Sequence, residues 1–199
     1  MGTLTIPDPL KGEFATVQAI WELQASTRRV DALILTWVKY EKQTRRLFSF
    51  LVQQHFGLDM LAQSAINRAI LANRQLYPST FLSGIVRLAR CTEADLIGVA
   101  HAQLSPEISR IHRYRNKILH GQLTGQKLTA AHLEADVGHV IAWMSALAAT
   151  GTREFGYNGL ERNTAQLATF RATQIADFPF DTVAEFEIWL GNLARGHFP

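Results

Sequence analysis

Apolar residues recur at helical spacing along almost the whole of this chain, and no run of β-branched and aromatic residues alternates with polar ones in the way of a half-buried strand. Helices that each carry one apolar stripe bury it against other helices, so the expected fold is all-α, a bundle of long antiparallel helices. With 199 residues there is chain enough for one well-buried domain and an appended piece. The expected division is a loose tail over 1–12, a helical domain over 13–150, and a loop with a C-terminal helical extension over 151–199 packed on the same domain.

Capping residues set the expected helix boundaries. A helical stretch runs from Glu13 to about Gln54, broken near Ser26 and Thr27 and closed by Gly57. Asp59 caps the next helix, through about Gln75, and two shorter helices span about 81–90 and 92–103. Ser105 followed by Pro106 and Glu107 reads as an N-cap, a first-turn proline and an acid favoured by the helix dipole, so a helix is expected from Ser105 to His120 with Gly121 as its stop. Thr129 caps a helix to about Ala149 whose core stripe is Leu133, Val137, Val140, Ile141, Met144 and Leu147. Asn158 and Gly159 mark a tight turn in "GTREFGYNG", and helices over about 161–173 and 181–194 complete the chain.

Several classes are disfavoured by composition. No stretch approaches the roughly 18 apolar residues of a membrane span, and the N-terminus lacks the apolar core of a secretory signal, so a soluble, cytoplasmic protein is expected. A single cysteine, Cys91, excludes an internal disulfide and a multi-cysteine zinc site, and is expected as a small buried side chain. The net charge of +3 is mild. Of the 20 basic residues, however, 15 are arginine, the side chain suited to bidentate phosphate contacts, which leans toward nucleic acid.

The segment "RNKILHG", residues 115–121, carries the candidate chemistry. Stepping about 100° per residue from Ile108, the side chains of Ile111, Ile118 and Leu119 fall between about −80° and +20°, and Arg115 falls near −20°, inside that apolar arc. A buried, unpaired guanidinium costs several kcal/mol, so Arg115 needs an acid such as Glu41 or Glu22, a cavity, or an interface. Arg113, Asn116 and His120 form a separate polar edge of the same helix.

An arginine, a polar residue, three further residues and a histidine at the end of an internal helix resemble the signature of the HEPN superfamily, and "RNKILH" matches its four-residue form. The resemblance covers about Glu13 to Ala149; some members carry a tyrosine two residues after the histidine, where this chain has Gln122. It implies a metal-independent endoribonuclease without cofactors, working as a homodimer with a composite site, of a kind often found as toxins or antiphage effectors beside a cognate antitoxin or inhibitor. The residue types suit such a reaction. His120 is a base of near-neutral pKa for the RNA 2′-hydroxyl, Arg115 a fork of donors for the phosphorane, and Asn116, at i, i+4, a residue to orient the imidazole or a phosphate oxygen. Arg110, His112, Arg113 and Lys117, with Arg162 from the later loop, are the expected RNA-binding residues. Alternatives of other classes are a non-catalytic module that binds RNA, nucleotide or a nucleotidyltransferase, and a helical interaction protein in which Arg115 is a structural ion pair.

A weaker constellation is His132, Asp136 and His139, which share a helical face and have ligand chemistry but no evident fourth ligand; a solvated stripe edge is the expected reading. Trp21, Trp37 and Tyr40, near the paired arginines at Arg28 and Arg45, are expected in the core rather than as base-stacking platforms.

Overall fold

The structure, a computed structural model, describes residues 4–55, 59–73, 76–122, 124, 128–161 and 178–196. The fold is all-α, and among the described residues there is no strand. The helices are α1 (Lys11–Glu22), α2 (Arg28–Val52), α3 (Met60–Ala72), α4 (Pro78–Leu88), α5 (Glu93–Ile97), α6 (His101–Leu119), α7 (Ala130–Thr150) and α8 (Val183–Arg195). No helix among the described residues is long and apolar enough to cross a membrane. The chain divides into two compact units, Met1–Tyr40 with Ile97–Ala148 and Glu41–Leu96 with Ala149–Pro199.

In the first unit the expected stripe of α7 is all buried, together with Phe14, Val17 and Trp21 of α1 and Leu33 and Trp37 of α2. The chain breaks between α1 and α2 where expected: Leu23 is extended, and the Thr27 carbonyl accepts from the amides of Val30 and Asp31. Arg29 then ties three helices together. Its guanidinium bonds Glu134 of α7 at 2.5 Å, donates to the Trp21 carbonyl, and lies 3.9 Å over the Trp21 ring. Thr129 caps α7, its hydroxyl accepting from the His132 amide. In the described part of the tail expected to be loose, Leu4 is buried, and a 3-10 turn at Asp8–Leu10 carries Leu10 into the core.

The start of α6 also differs from expectation. The helix begins at His101 and Pro106 lies inside it, although proline has no N–H for the carbonyl four residues earlier. The lost bond is offset by burial of Leu104 and by the ring contact of His101 with Trp143, both gained in the added turn.

In the second unit α8 packs on α3 and α4. Phe48, Phe81, Phe186 and Trp189 form an aromatic cluster that needs Gly84, since a Cβ there would stand 2.7 Å from a Phe48 ring carbon. Asp59 caps α3, and Thr182 with Glu185 makes a capping box for α8. The expected turn at Asn158 and Gly159 forms; Asn158 accepts from Gln43 through its carbonyl and from the Leu160 amide through its side chain. Gly159, at φ +76°, lies so near the Gln43 backbone that a Cβ would be 2.7 Å from its oxygen. Before that turn, Gly151–Phe155 continues α7 as one π-turn, which periodicity did not foretell. Gly57, the expected helix over 161–173, and Arg162 lie outside the described residues.

Candidate active site on helix α6

The last turns of α6 are built as the segment 115–121 predicts. The helix ends at His120, and Gly121 adopts φ +64°, which favours glycine. The Gly121 amide bonds the Ile118 carbonyl and the Gln122 amide bonds the Lys117 carbonyl at 2.8 Å, the paired bonds of a Schellman motif. This fixes the backbone that bears His120, whose side chain is exposed. Arg115 is half-buried, as its place on the apolar arc foretold.

Around Arg115 the side chains form a row. Its Nη1 donates to Asn116 Oδ1 at 2.8 Å, the Asn116 amide nitrogen meets His112 Nε2 at 3.2 Å, and the His112 ring stacks on Trp37 of α2, with centroids 5.6 Å apart and planes 6° from parallel. The Arg115 guanidinium carbon lies 5.8 Å from the centre of the Trp37 ring, which is buried as expected of a core residue. The row places two of the expected site residues. Asn116 does not orient the His120 imidazole: helical side chains lean toward the N-terminus, and both functions of its amide are engaged with Arg115 and His112. His120 is joined to Asn116 through the backbone, its amide donating to the Asn116 carbonyl at 3.1 Å. His112, expected among the RNA-binding residues, is half-buried and stacked on Trp37.

A second row faces α7. Arg110 bonds Glu107 at 2.6 Å and Asp136, and the Tyr114 hydroxyl donates to the other oxygen of Asp136, which is fully buried. The bond from Arg110 holds the Glu107 carboxyl below the usual carboxylate range. Burial and then the Asp136 carboxylate push the Tyr114 phenol up. Burial works against the charge of Arg110, but its bonds to Asp136 and Glu107 outweigh that and hold it more firmly protonated. The guanidinium of Arg110, expected as a phosphate ligand, is thus engaged by Glu107 and by a buried carboxylate on α7. Arg113 and Lys117 are exposed.

His132, weighed with Asp136 and His139 as metal ligands, is exposed and takes no part. Among the described residues the grouping is instead Glu107, Asp136 and His139, with ligand atoms within 4.8 Å of one another. Arg110 bonds both carboxylates, so a guanidinium already supplies the positive charge there. The sequence held a signal for this cluster: Asp136 stands among Leu133, Val137 and Val140 on the buried face of α7, and an acid so placed needs a cation from the facing helix. Cys91, in the second unit, is half-buried; burial and then the Asp95 and Glu154 carboxylates push its thiol up to about 11, so it is a neutral thiol at neutral pH and no nucleophile.

Comparison of the chain with protein-family models, with curated proteins and with solved structures finds no match.

Proposed function

We propose that this chain is a metal-independent endoribonuclease of the HEPN type, with His120 as general base and Arg115 as the phosphate-stabilising group. The observation that carries the reading is the end of α6: an exposed imidazole on a backbone fixed by Gly121, one turn beyond a half-buried guanidinium held by Asn116. His120 takes the proton of the RNA 2′-hydroxyl, the 2′-oxygen attacks the adjacent phosphorus, and the 5′-oxygen leaves, giving a 2′,3′-cyclic phosphate. Arg115 is a fixed planar donor to the phosphorane oxygens, where charge builds up. DNA lacks the attacking hydroxyl and is not a substrate.

The leaving oxygen is protonated on the side of phosphorus opposite the base, so one histidine serves poorly as both base and acid. A twofold dimer with two α6 ends facing each other supplies the second His120 and Arg115. Arg113 and Lys117, exposed on the same helix, position the backbone phosphates. A toxin or antiphage effector held in check by a cognate antitoxin or inhibitor is the setting that the HEPN resemblance supports.

The test is cleavage of total RNA by the purified protein in EDTA, with His120→Ala beside it. Cleavage by the wild type and none by the variant supports the reading. Equal cleavage by both removes the role of His120, and cleavage by neither removes the nuclease reading and leaves a binding module.

A further inference from the structure

The two contacts that link Arg115, Asn116 and His112 are satisfied together by one arrangement of protons. A guanidinium donates and never accepts, so the Asn116 atom facing Arg115 Nη1 at 2.8 Å is the amide oxygen. The amide nitrogen therefore faces His112 Nε2 at 3.2 Å, and since that nitrogen donates, Nε2 accepts. An accepting Nε2 bears no proton, so His112 in this row is the neutral Nδ1–H tautomer.

We infer that His112 is a positioning residue for Arg115: by accepting from Asn116 as the neutral Nδ1–H tautomer, it turns the amide oxygen toward the guanidinium and fixes the direction in which the Arg115 guanidinium lies. The inference rests on the nuclease reading for its consequence but not for its geometry. Trp37 is the anchor. It is buried, its face lies parallel to the imidazole, and the same ring lies beneath the Arg115 guanidinium carbon, so the two ends of the row share one rigid support from α2. An arginine reaching phosphate through four rotatable bonds gains by being fixed in advance, and displacement of a catalytic group by about 1 Å costs roughly a hundredfold in rate. His112 thus leaves the set of RNA ligands. A histidine recruited to phosphate works as the cation, and a protonated Nε2 would oppose the Asn116 amide hydrogen.

Two measurements test this separately. In the first, long-range ¹H–¹⁵N correlation spectra of the free protein at neutral pH report the His112 ring nitrogens. A protonated Nδ1 and an unprotonated Nε2 are expected, and an Nε2–H tautomer or a doubly protonated ring overturns the inference whether or not the protein cuts RNA. In the second, His112→Gln and His112→Leu are compared in steady-state RNA cleavage, with melting curves to show that both are folded. Glutamine can offer an accepting oxygen close to where Nε2 stood; leucine cannot. His112→Gln should stay within about threefold of wild-type kcat, and His112→Leu should lose tenfold or more in kcat with KM little changed. A rise in KM of similar size in both variants with kcat intact makes His112 an RNA ligand and overturns the inference. Lowered melting in both with unchanged kcat and KM makes it merely structural, with the same result. A wild-type protein that cuts no RNA defeats the nuclease reading alone, and the ring spectrum then decides whether His112 holds Arg115.

Discussion

Asp136 has no exposed surface, and its charge is stabilised from two sides, by the Arg110 guanidinium and the Tyr114 hydroxyl of α6. Removing the Asp136 carboxylate leaves Arg110 its bond to Glu107 but strands the buried Tyr114 hydroxyl without an acceptor, so Asp136→Ala should cost about 1 to 3 kcal/mol in chemical denaturation. The flanking groups give this clamp a pH window. Glu107 titrates lower in the folded protein than its ordinary 4.5, so its contribution to stability is present above that value and is lost as the pH falls through the folded one. Tyr114 titrates higher than its ordinary 10.0, so its contribution is complete below that value and is lost as the pH rises beyond it. In melting curves across pH, Glu107→Gln should flatten the acid fall in stability and Tyr114→Phe the alkaline fall; unchanged limbs would show that neither bond matters to the fold. His120 is the opposite kind of residue, exposed at a helix end. His120→Ala should leave the melting temperature nearly unchanged and lower RNA cleavage by roughly a hundredfold or more.

At the scale of helices, the end of α6 was legible in advance and its beginning was not. Gly121 after a polar last turn signalled the stop, and the Schellman bonds form there. Gly121→Ala should therefore cost about 1 kcal/mol, as expected when a side chain is forced to positive φ, and should reduce RNA cleavage more than that loss explains, because the same turn sets the direction of His120; a variant of lower melting temperature with full activity would uncouple the two. The start of α6 was misplaced because Ser105, Pro106 and Glu107 satisfy the local rules for a helix start, and burial of Leu104 in the preceding turn, which local rules do not see, outweighed them. Asp59 and Thr129 were legible as caps because each precedes an apolar run. The Thr182 and Glu185 box carries a spacing signature of the same kind, a threonine three residues before a glutamate at the head of an apolar run. The π-turn at Gly151–Phe155 depends on Gly151 meeting the Tyr157 carbonyl, a contact that exists only once the chain has folded back. Asn116 shows the limit for the site itself: spacing offered it to His120 or His112 equally, and the lean of helical side chains decided for His112.

For the whole molecule, the proposed chemistry demands more than one chain supplies. Proton removal from the 2′-hydroxyl and proton delivery to the 5′-oxygen occur on opposite sides of the phosphorus, and the end of α6 presents one exposed imidazole. Neither Arg110, engaged with Glu107 and Asp136, nor His112, bound to Asn116, is placed to be the missing acid. A second α6 brought up by twofold symmetry supplies it, since an interface that places one His120 beside a twofold axis places its mate there too. Inhibitor-free protein at micromolar concentration should accordingly scatter light as a dimer, and specific activity should fall on dilution below the dimer dissociation constant. Cleavage should persist in EDTA and leave a 2′,3′-cyclic phosphate, because the roles assigned to His120 and Arg115 pass through no metal. Activity abolished by EDTA and restored by Zn²⁺ would move the chemistry to Glu107, Asp136 and His139. A strict monomer with full activity at all dilutions would instead require the acid to come from the same chain, and the composite site would be abandoned.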